Sequence, residues 1–455
     1  MKYAVITFGC RVNQADSLCL EEQLRARGGG DAPSSEADLV IVNTCSVTAT
    51  ADQGARQTIR RIARENPTAR IVATGCYATR RPDEVGDLPG VLRVVRNDDK
   101  RSAIRILEAA GELTTAARFG DGDGACGAPI EPGVAGRTAF TLRVQTGCEE
   151  RCAYCIIPST RGAGRSLPLA EVVAEVERIG AAGFKEIALT GVHLGSYGRD
   201  LEPRVSLIDL LRAIDGCGAD VIFRISSLEP MDCTGDVVDL VASSGGRFAP
   251  HFHLPLQHAS DRMLALMRRP YTLDYYRRLL DRIIERLPHA STGSDMIVGF
   301  PGETGEDFEA NLAYLPSSPL THLHVFPYSD RPGTAATAMK DKVDGVVVRE
   351  RSARLRAIGA ALTQRFRESQ VGTQRPGLTL EDGTLVVTDN YLKVRIPRGH
   401  RRNESVHVRI ARDGDGLAGE VVAAPGLPAG SVVAGMGTQS SEPLSCPHTA
   451  PEPNA

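Results

Sequence analysis

The stretch Gln145-Thr-Gly-Cys-Glu-Glu-Arg-Cys-Ala-Tyr-Cys-Ile-Ile-Pro158 decides how the rest of the chain is read. Cys148, Cys152 and Cys155 fall within eight residues in a C-x-x-x-C-x-x-C spacing, so one loop can bring three thiolates to a point. Three thiolates leave one iron of a four-iron cluster without a protein ligand, and that iron is open to a substrate. The apolar run Phe140 to Val144 just upstream reads as a strand, which puts the thiolates at a strand's carboxyl end. Structural zinc normally closes with a fourth ligand, and its cysteines usually come as two separated C-x-x-C pairs. No second pair exists here. A redox-active cluster is therefore preferred over structural zinc.

The surroundings bound the possibilities. At 455 residues the chain exceeds one compact domain and implies two or three. Hydrophobic content of 42% and charged content of 24% are ordinary for a globular protein. No apolar run approaches the ~20 residues that span a bilayer, and the start Met1-Lys-Tyr-Ala-Val-Ile-Thr-Phe-Gly-Cys10 is strand-like, unlike a secretory signal. A cytoplasmic location with no membrane partner is expected. In such a reducing compartment, clustered members of the eleven cysteines favour metal or redox work over disulfides.

Upstream, short Val/Ile-rich runs (Tyr3 to Phe8, Ala37 to Val42, Arg70 to Thr74, Val91 to Val95) alternate with helical patterns at Gln14 to Ala26 and Ala49 to Glu65. This βαβα order predicts a small open parallel α/β sheet. Three of the four strands run into a cysteine: Cys10, Cys45 and Cys76. Ligands of open α/β sheets bind outside the carboxyl ends of strands, so these thiols can share one crevice. Separately buried cysteines are the plain alternative. Residues 98–136 read as a helix and then a linker, because Gly120 to Pro129 is too rich in glycine and aspartate for a regular element.

From residue 137 a longer βα series begins, with strands at Phe140–Gln145, Glu186–Thr190, Val221–Ser226, Phe252–Leu256, Asp295–Val298 and His322–Phe326. Six strand-helix units predict an incomplete parallel barrel with its chemistry at the carboxyl ends. Unusual residues collect there: Thr190-Gly-Val-His-Leu-Gly195, Arg224-Ile-Ser-Ser-Leu-Glu-Pro230, His253-Leu-Pro-Leu-Gln-His258 and Ile297-Val-Gly-Phe-Pro-Gly-Glu303. A basic helix around Arg349 to Arg367 leads out of the barrel. Residues 374–435 then turn to short strands, predicting a small all-β domain. Within it Lys393, Arg395, Arg398, Arg401, Arg402, Arg409 and Arg412 face a single acid, Glu404. A solvated charged face is one reading, and a patch for phosphate backbone with Tyr391 as a stacking surface is the other. The predicted division is 1–115, a linker at 116–136, a barrel at 137–368, the β-domain at 369–435 and a disordered tail at 436–455.

The cysteine loop resembles that of the radical S-adenosylmethionine (SAM) superfamily, and the whole chain resembles one branch of it, the methylthiotransferases. That branch combines an N-terminal three-cysteine domain, a radical SAM barrel and a C-terminal RNA-binding β-domain called TRAM. Three stretches, Thr7-Phe-Gly-Cys-Arg-Val-Asn-Gln14, Leu189-Thr-Gly-Val-His-Leu-Gly-Ser-Tyr-Gly198 and Val325-Phe-Pro-Tyr-Ser-Asp-Arg-Pro-Gly-Thr334, are similar to the subgroup acting on N6-threonylcarbamoyladenosine in tRNA. Sister enzymes act on isopentenyladenosine in tRNA or on a ribosomal protein, and both remain alternatives. A non-catalytic iron–sulfur RNA-binding or sensor protein is the alternative of another class. His258-Ala259 departs from the Ser-Gly that relatives commonly carry after Pro-Leu-Gln.

The resemblance implies that Cys148, Cys152 and Cys155 hold one [4Fe-4S] cluster, at which SAM yields a 5′-deoxyadenosyl radical. It implies a second [4Fe-4S] cluster on Cys10, Cys45 and Cys76, carrying the sulfur to be inserted. Tyr154, Gly191, Gly195, Ser226, Glu229, Val298 and Gly299 are the implied SAM contacts. Tyr391, Lys393, Arg395, Arg398, Arg401 and Arg402 are the candidate RNA contacts. The implied partners are a tRNA anticodon stem-loop, an electron donor such as flavodoxin or ferredoxin, and a sulfur source. Cys19, Cys217, Cys233 and Cys446 are read as ordinary thiols.

Overall fold

Parallel strands covered on both faces need near-continuous apolar runs, and the N-terminal third of the chain supplies them. The computed structural model describes residues 1–109, 130–132 and 138–423. Most of the expected linker, with Cys126, and the expected tail, with Cys446, lie outside the described residues. Strands β1 (Lys2–Thr7), β2 (Gly30–Asp31), β3 (Leu39–Thr44), β4 (Arg70–Gly75) and β5 (Val91–Val95) form one parallel sheet in the order β2-β1-β3-β4-β5. Helices α1 (Arg11–Ala26), α2 (Ala49–Glu65), α3 (Cys76–Arg80), α4 (Pro82–Gly86) and α5 (Ala103–Ala109) lie between and after them. All six residues of β3 are buried. Alternation sends Val40 and Val42 to the α2 side with Ile59 and Ile62, and Leu39 and Ile41 to the α1 side with Leu20 and Leu24. Thr48 caps α2 by accepting a hydrogen bond from the Ala51 amide. Each fully buried side chain such as Ile59 contributes about 1.5–3 kcal/mol.

The second unit follows the predicted βα rhythm. Strands β6 (Phe140–Arg143), β9 (Glu186–Thr190), β10 (Ile222–Ile225), β11 (His251–His253), β12 (Ser291–Val298) and β13 (His322–Pro327) pair in parallel as β10-β9-β6 and β11-β12-β13. A parallel bridge between Phe223 and Phe248 joins the two sets into one arc, open between β6 and β13. Helices α6 (Ile157–Arg161), α7 (Leu169–Ala181), α8 (Leu207–Asp215), α9 (Gly235–Ser243), α10 (Asp261–Leu266), α11 (Leu273–Arg286) and α12 (Gly305–Tyr314) belong to it. A small hairpin, β7 (Gln145–Thr146) with β8 (Arg165–Ser166), frames the cysteine loop. Two differences from expectation have a clear origin. Strand β12 begins at Ser291, not Asp295, because its polar start Ser-Thr-Gly-Ser carries no apolar signal although it is buried. Helix α9 carries little sequence signal, because Gly235 and Asp236 open it and leave only a short Val/Leu stripe.

Helix α13 (Gly345–Gln370) packs along β13, with Gly359 against Leu323, and leads out of the barrel. Beyond it β14 (Gln374–Leu380), β15 (Leu385–Thr388), β16 (Lys393–Arg395), β17 (Ser405–Asp413) and β18 (Gly416–Val422) close a small barrel in the order β14-β15-β16-β18-β17. Its core is Val386, Val394, Val408, Ile410 and Leu417. This β-domain docks at the amino end of the large barrel. Arg224 of β10 donates to the carbonyl of Asp389 (2.8 Å), Asn390 to that of His289 (2.9 Å) and Asn403 to that of Gly183 (2.8 Å). Among the described residues no helix is long and apolar enough to cross a membrane.

Candidate functional site

The N-terminal sheet and the barrel meet where their cysteines lie. In Phe8-Gly9-Cys10 and Thr74-Gly75-Cys76 the glycines have φ of +89° and +97°. A side chain at Gly9 would collide with Cys45, and one at Gly75 with the Thr44 backbone. These glycines let adjacent strand ends come together. Asn13 donates to the carbonyls of Phe8 (2.8 Å) and Thr44 (2.9 Å), tying the two turns. Cys45 and Cys76 are buried and Cys10 is exposed. Burial pushes the Cys45 thiol up to about 11, and nearby Cys76 and Cys10 add to the shift. The three thiols are thus electrostatic neighbours.

The barrel loop is built with equal economy. Cys148 N–H donates to the Gly162 carbonyl (3.0 Å), Cys155 N–H to that of Cys152 (3.1 Å), and Ala153 N–H to that of Met267 (3.0 Å). Arg269, following α10, donates from Nη1 to Cys152 Sγ at 2.9 Å. His193 Nδ1 lies 3.8 Å from Cys148 Sγ, while its Nε2 meets Asp232 Oδ2 at 2.7 Å. Burial disfavours the charged imidazole, but Asp232 and the Cys148 sulfur outweigh it and hold His193 up to about 9. Burial pushes Cys155 up to about 12 and also raises Cys152, against the pull of Arg269. Metal binding at either set expels protons, because the thiolate is the ligand.

Three zinc-bound sulfurs at Zn–S of about 2.3 Å sit about 3.8 Å apart. Neither cysteine set brings its sulfurs within 4.8 Å of one another. That is wider than a single zinc ion would hold them, while thiolates on separate irons of a cluster need no such close approach.

The expected SAM contacts surround this loop. Tyr154 packs edge-on to Phe300 with ring centres 6.5 Å apart, and burial raises its phenol. Ser226 sits just past β10 with its Oγ buried and unpartnered. Glu229 and Arg269 are in ion-pair contact, yet Glu229 Oε2 and Arg269 Nη2 have no well-formed hydrogen bond. Together with the unpartnered Ser226 hydroxyl, this ion pair offers groups of both signs to the amino and carboxylate groups of an amino-acid ligand. Gly191 lies beside Gln145, and Gly195 lies under the Asp232 carboxylate. Val298 is buried in the core, its carbonyl accepting from Tyr328 N–H, while the Gly299 amide donates to Glu303 (2.5 Å).

Several residues at the site gave no signal in the sequence. Arg161 donates to Asn13 Oδ1 (2.6 Å) and Asp16 Oδ2 (3.2 Å). The charges of Cys76, Asp16 and Cys10 outweigh its burial and raise its guanidinium. One buried side chain, six residues beyond Cys155, thus reaches the other cysteine set. Asp16 also pairs with Lys100 (2.9 Å) and with Arg143. Arg331 donates to the Ser46 carbonyl (2.5 Å), Ser46 Oγ (2.8 Å) and Asp52 Oδ2 (2.7 Å). Asn97 spans from near Cys76 Sγ (3.7 Å) to the Thr160 carbonyl (2.8 Å). These partners are 21 to 285 residues apart in sequence, so no local spacing reveals them.

On the β-domain, Lys393, Arg395, Arg398 and Arg401 are exposed, and Arg402 is partly buried with Nε donating to the Glu381 carbonyl. Tyr391 is 45% exposed but engaged on one side. Its hydroxyl accepts from Arg11 (3.0 Å), the His251 ring is 4.6 Å away and the Arg224 guanidinium 4.9 Å. His258, the departure noted above, is fully buried against Asn311 (3.0 Å). Cys19, Cys217 and Cys233 form no disulfide.

Comparison with known proteins agrees with this arrangement. Residues 2–96 match the uncharacterized protein family UPF0004, and residues 142–315 match the radical SAM superfamily. The chain is 36% identical over 406 residues to the threonylcarbamoyladenosine tRNA methylthiotransferase MtaB of Aquifex aeolicus, covering 87% of this chain and 96% of that protein. It is 34% identical over 443 residues to MtaB of Bacillus subtilis, covering 90% and 96%. A tRNA-2-methylthio-N(6)-dimethylallyladenosine synthase of Corynebacterium jeikeium is 32% identical over 448 residues, covering 92% and 83%. Among solved structures, the radical S-adenosylmethionine methyltransferase TsrM of Kitasatospora setae shares the fold at a TM-score of 0.52 and 17% identity, over 74% of this chain and 76% of that one. With relatives this similar over nearly their whole length, the chain belongs to the radical SAM tRNA methylthiotransferase family.

Proposed function

We propose that the chain inserts a methylthio group at C2 of N6-threonylcarbamoyladenosine next to the anticodon of tRNA, using two [4Fe-4S] clusters and SAM. The observation that carries this reading is the approach of Arg161, from the barrel loop, to Cys76 and Cys10 of the other set. Two cysteine sets linked through one buried side chain suit a reaction that divides radical generation from sulfur delivery. The names of the MtaB relatives favour the threonylcarbamoyl substrate.

Cys148, Cys152 and Cys155 would hold the cluster at which SAM is cleaved, and Cys10, Cys45 and Cys76 the one that presents sulfur. When bound, these groups supply the radical and the sulfur atom. The remaining work falls to side chains. Arg269 would take the carboxylate of SAM, while Glu229 and Ser226 take its amino group, which gives the Ser226 hydroxyl a partner. Tyr154, Gly191, Gly195, Val298 and Gly299 shape the surrounding wall and exclude water. The β-domain would act as the TRAM module, with Lys393, Arg395, Arg398, Arg401 and Arg402 on phosphates and Tyr391 on a base. The electron donor (a flavodoxin or ferredoxin) and the sulfur source come from outside the chain, all within the cytoplasm. The synthase from Corynebacterium jeikeium favours isopentenyl-type adenosine as the second reading.

Nucleoside mass spectrometry of tRNA from a deletion strain separates the readings. Loss of 2-methylthio-threonylcarbamoyladenosine is expected; its persistence with loss of the dimethylallyl derivative overturns the substrate assignment. In vitro, Cys76→Ala is expected to abolish thiolation while leaving SAM cleavage measurable, and full thiolation in that variant refutes the second cluster.

A further inference from the structure

The inner wall of the incomplete barrel carries a concentration of imidazoles that none of the roles above uses. Successive strand residues point to opposite faces. The register His253–Gly293–His322, with Asp295 opposite His324, places His251, His253, Asp295, His322 and His324 on one face. Phe252 and Met296, on the other face, pack in the core beneath the helices. The residue between the histidine-bearing strands is Gly293, where any Cβ would overlap the His322 ring.

Three of these groups converge. His253 Nε2 is 2.9 Å from Asp295 Oδ1, and His324 Nδ1 is 3.2 Å from the same oxygen. One donor atom from each lies within 4.8 Å of the others, and among the described residues no other set of His, Cys, Asp or Glu does so. Bonds of about 2.0–2.2 Å to a divalent transition ion hold neighbouring N and O donors roughly 2.9–3.4 Å apart, so the spacing already matches. On the same wall, buried His251 stacks 6.2 Å from His322 and has an Nδ1 that no protein group uses.

We propose that His253, Asp295 and His324 form a site for a divalent transition-metal ion of the zinc, iron or cobalt class on the inner wall of the barrel. Two imidazoles and one carboxylate are the donor set that selects such ions over magnesium or calcium. Three protein ligands leave positions toward the barrel interior for water or an oxygen donor of a substrate. The site shares no ligand with either cysteine set and does not depend on which nucleoside is modified.

The test uses full-length protein carrying its iron, prepared anaerobically and dialysed against Co2+, with cobalt and iron per chain measured by elemental analysis. One cobalt per chain is expected in the wild type at unchanged iron. His324→Ala, on the half-open edge strand, and Asp295→Asn are expected to weaken binding about tenfold or more, whereas His407→Ala on the β-domain leaves it unchanged. Absence of stoichiometric cobalt in the wild type, or equal binding in the Asp295 and His324 variants, overturns the proposal. Should those variants lose iron as well, the cobalt K-edge spectrum of the wild type decides: nitrogen and oxygen ligands with imidazole scattering support the site, and sulfur ligands overturn it.

Discussion

Replacing Arg331 with Met tests how the two cysteine sets are held in register. The guanidinium is 3% exposed and crosses from the segment after β13 to the turn after Cys45, where it makes three hydrogen bonds to Ser46 and Asp52. Methionine preserves much of the stem's bulk but none of the donors. Removing one partner of a buried ion pair costs about 3–5 kcal/mol. Asp52 keeps Arg80 at 2.5 Å and the Ser46 hydroxyl at 2.8 Å, so the lower figure of about 3 kcal/mol applies. At about 1.4 kcal/mol per tenfold, the docked arrangement weakens about a hundredfold relative to the undocked one. Each unit keeps its own core, so the loss falls on docking and not on folding. Hydrogen exchange should therefore rise in residues 44–52 but not in residues 39–43 of β3 or in the buried strand β4. Product formation should fall at least about tenfold while SAM cleavage, measured as 5′-deoxyadenosine, changes little. Unchanged exchange in residues 44–52, or parallel loss of SAM cleavage and product, refutes this account.

Other expectations follow from the same structure. Asp16→Asn leaves Lys100, Arg143 and Arg161 without their shared carboxylate, and denaturant titration should show a loss of about 3–5 kcal/mol. Burial disfavours ionised Asp16 but its three cations win, so its folded pKa lies below the unfolded value. Its stabilisation is therefore complete above about pH 4 and fades only as the medium becomes more acidic, which an acid-unfolding series checks. His258 behaves differently: burial lowers it to about 4 from 6.5, so protonation of the unfolded chain drains stability as pH falls from 6.5 toward 4. A shift of that size is worth about 3 kcal/mol, and His258→Gln should flatten the pH dependence of Tm over that range. Changing Lys393, Arg395, Arg398 and Arg401 together to Gln should weaken tRNA binding and reduce the slope of log K against log salt by up to about four.

The sequence made legible what depends on local pattern. Alternating apolar runs located β1, β3, β4, β5 and the six barrel strands, since parallel strands buried on both faces have few other sequence solutions. Cysteine spacing likewise located both candidate sets, because each set lies on turns at strand ends. What stayed hidden is made by tertiary contact. Arg161, Arg269 and Arg331 are ordinary arginines until folding brings them to Cys76, Cys152 and Ser46. Strand β14 was folded into a general β-rich region because Gln374-Arg-Pro-Gly opens it without an apolar alternation. The inner-wall histidines are spread over β11 and β13, about seventy residues apart. Only the register through Gly293 unites them. His258, the departure from Ser-Gly, is an internal packing residue joined to Asn311, which its place in the sequence does not show.

The docking of the β-domain at the amino end of the barrel gives the molecule a fixed reach. The longest barrel strand, the eight-residue β12, rises about 26 Å, and α13, whose 26 residues make a strut of about 39 Å, packs along β13. Tyr391 of the β-domain nevertheless reaches the N-terminal unit, its hydroxyl accepting from Arg11, the residue after Cys10. The β-domain is thus tied to the barrel along one face and to the N-terminal sheet at one point. Any displacement of it would pull directly on the residue beside Cys10.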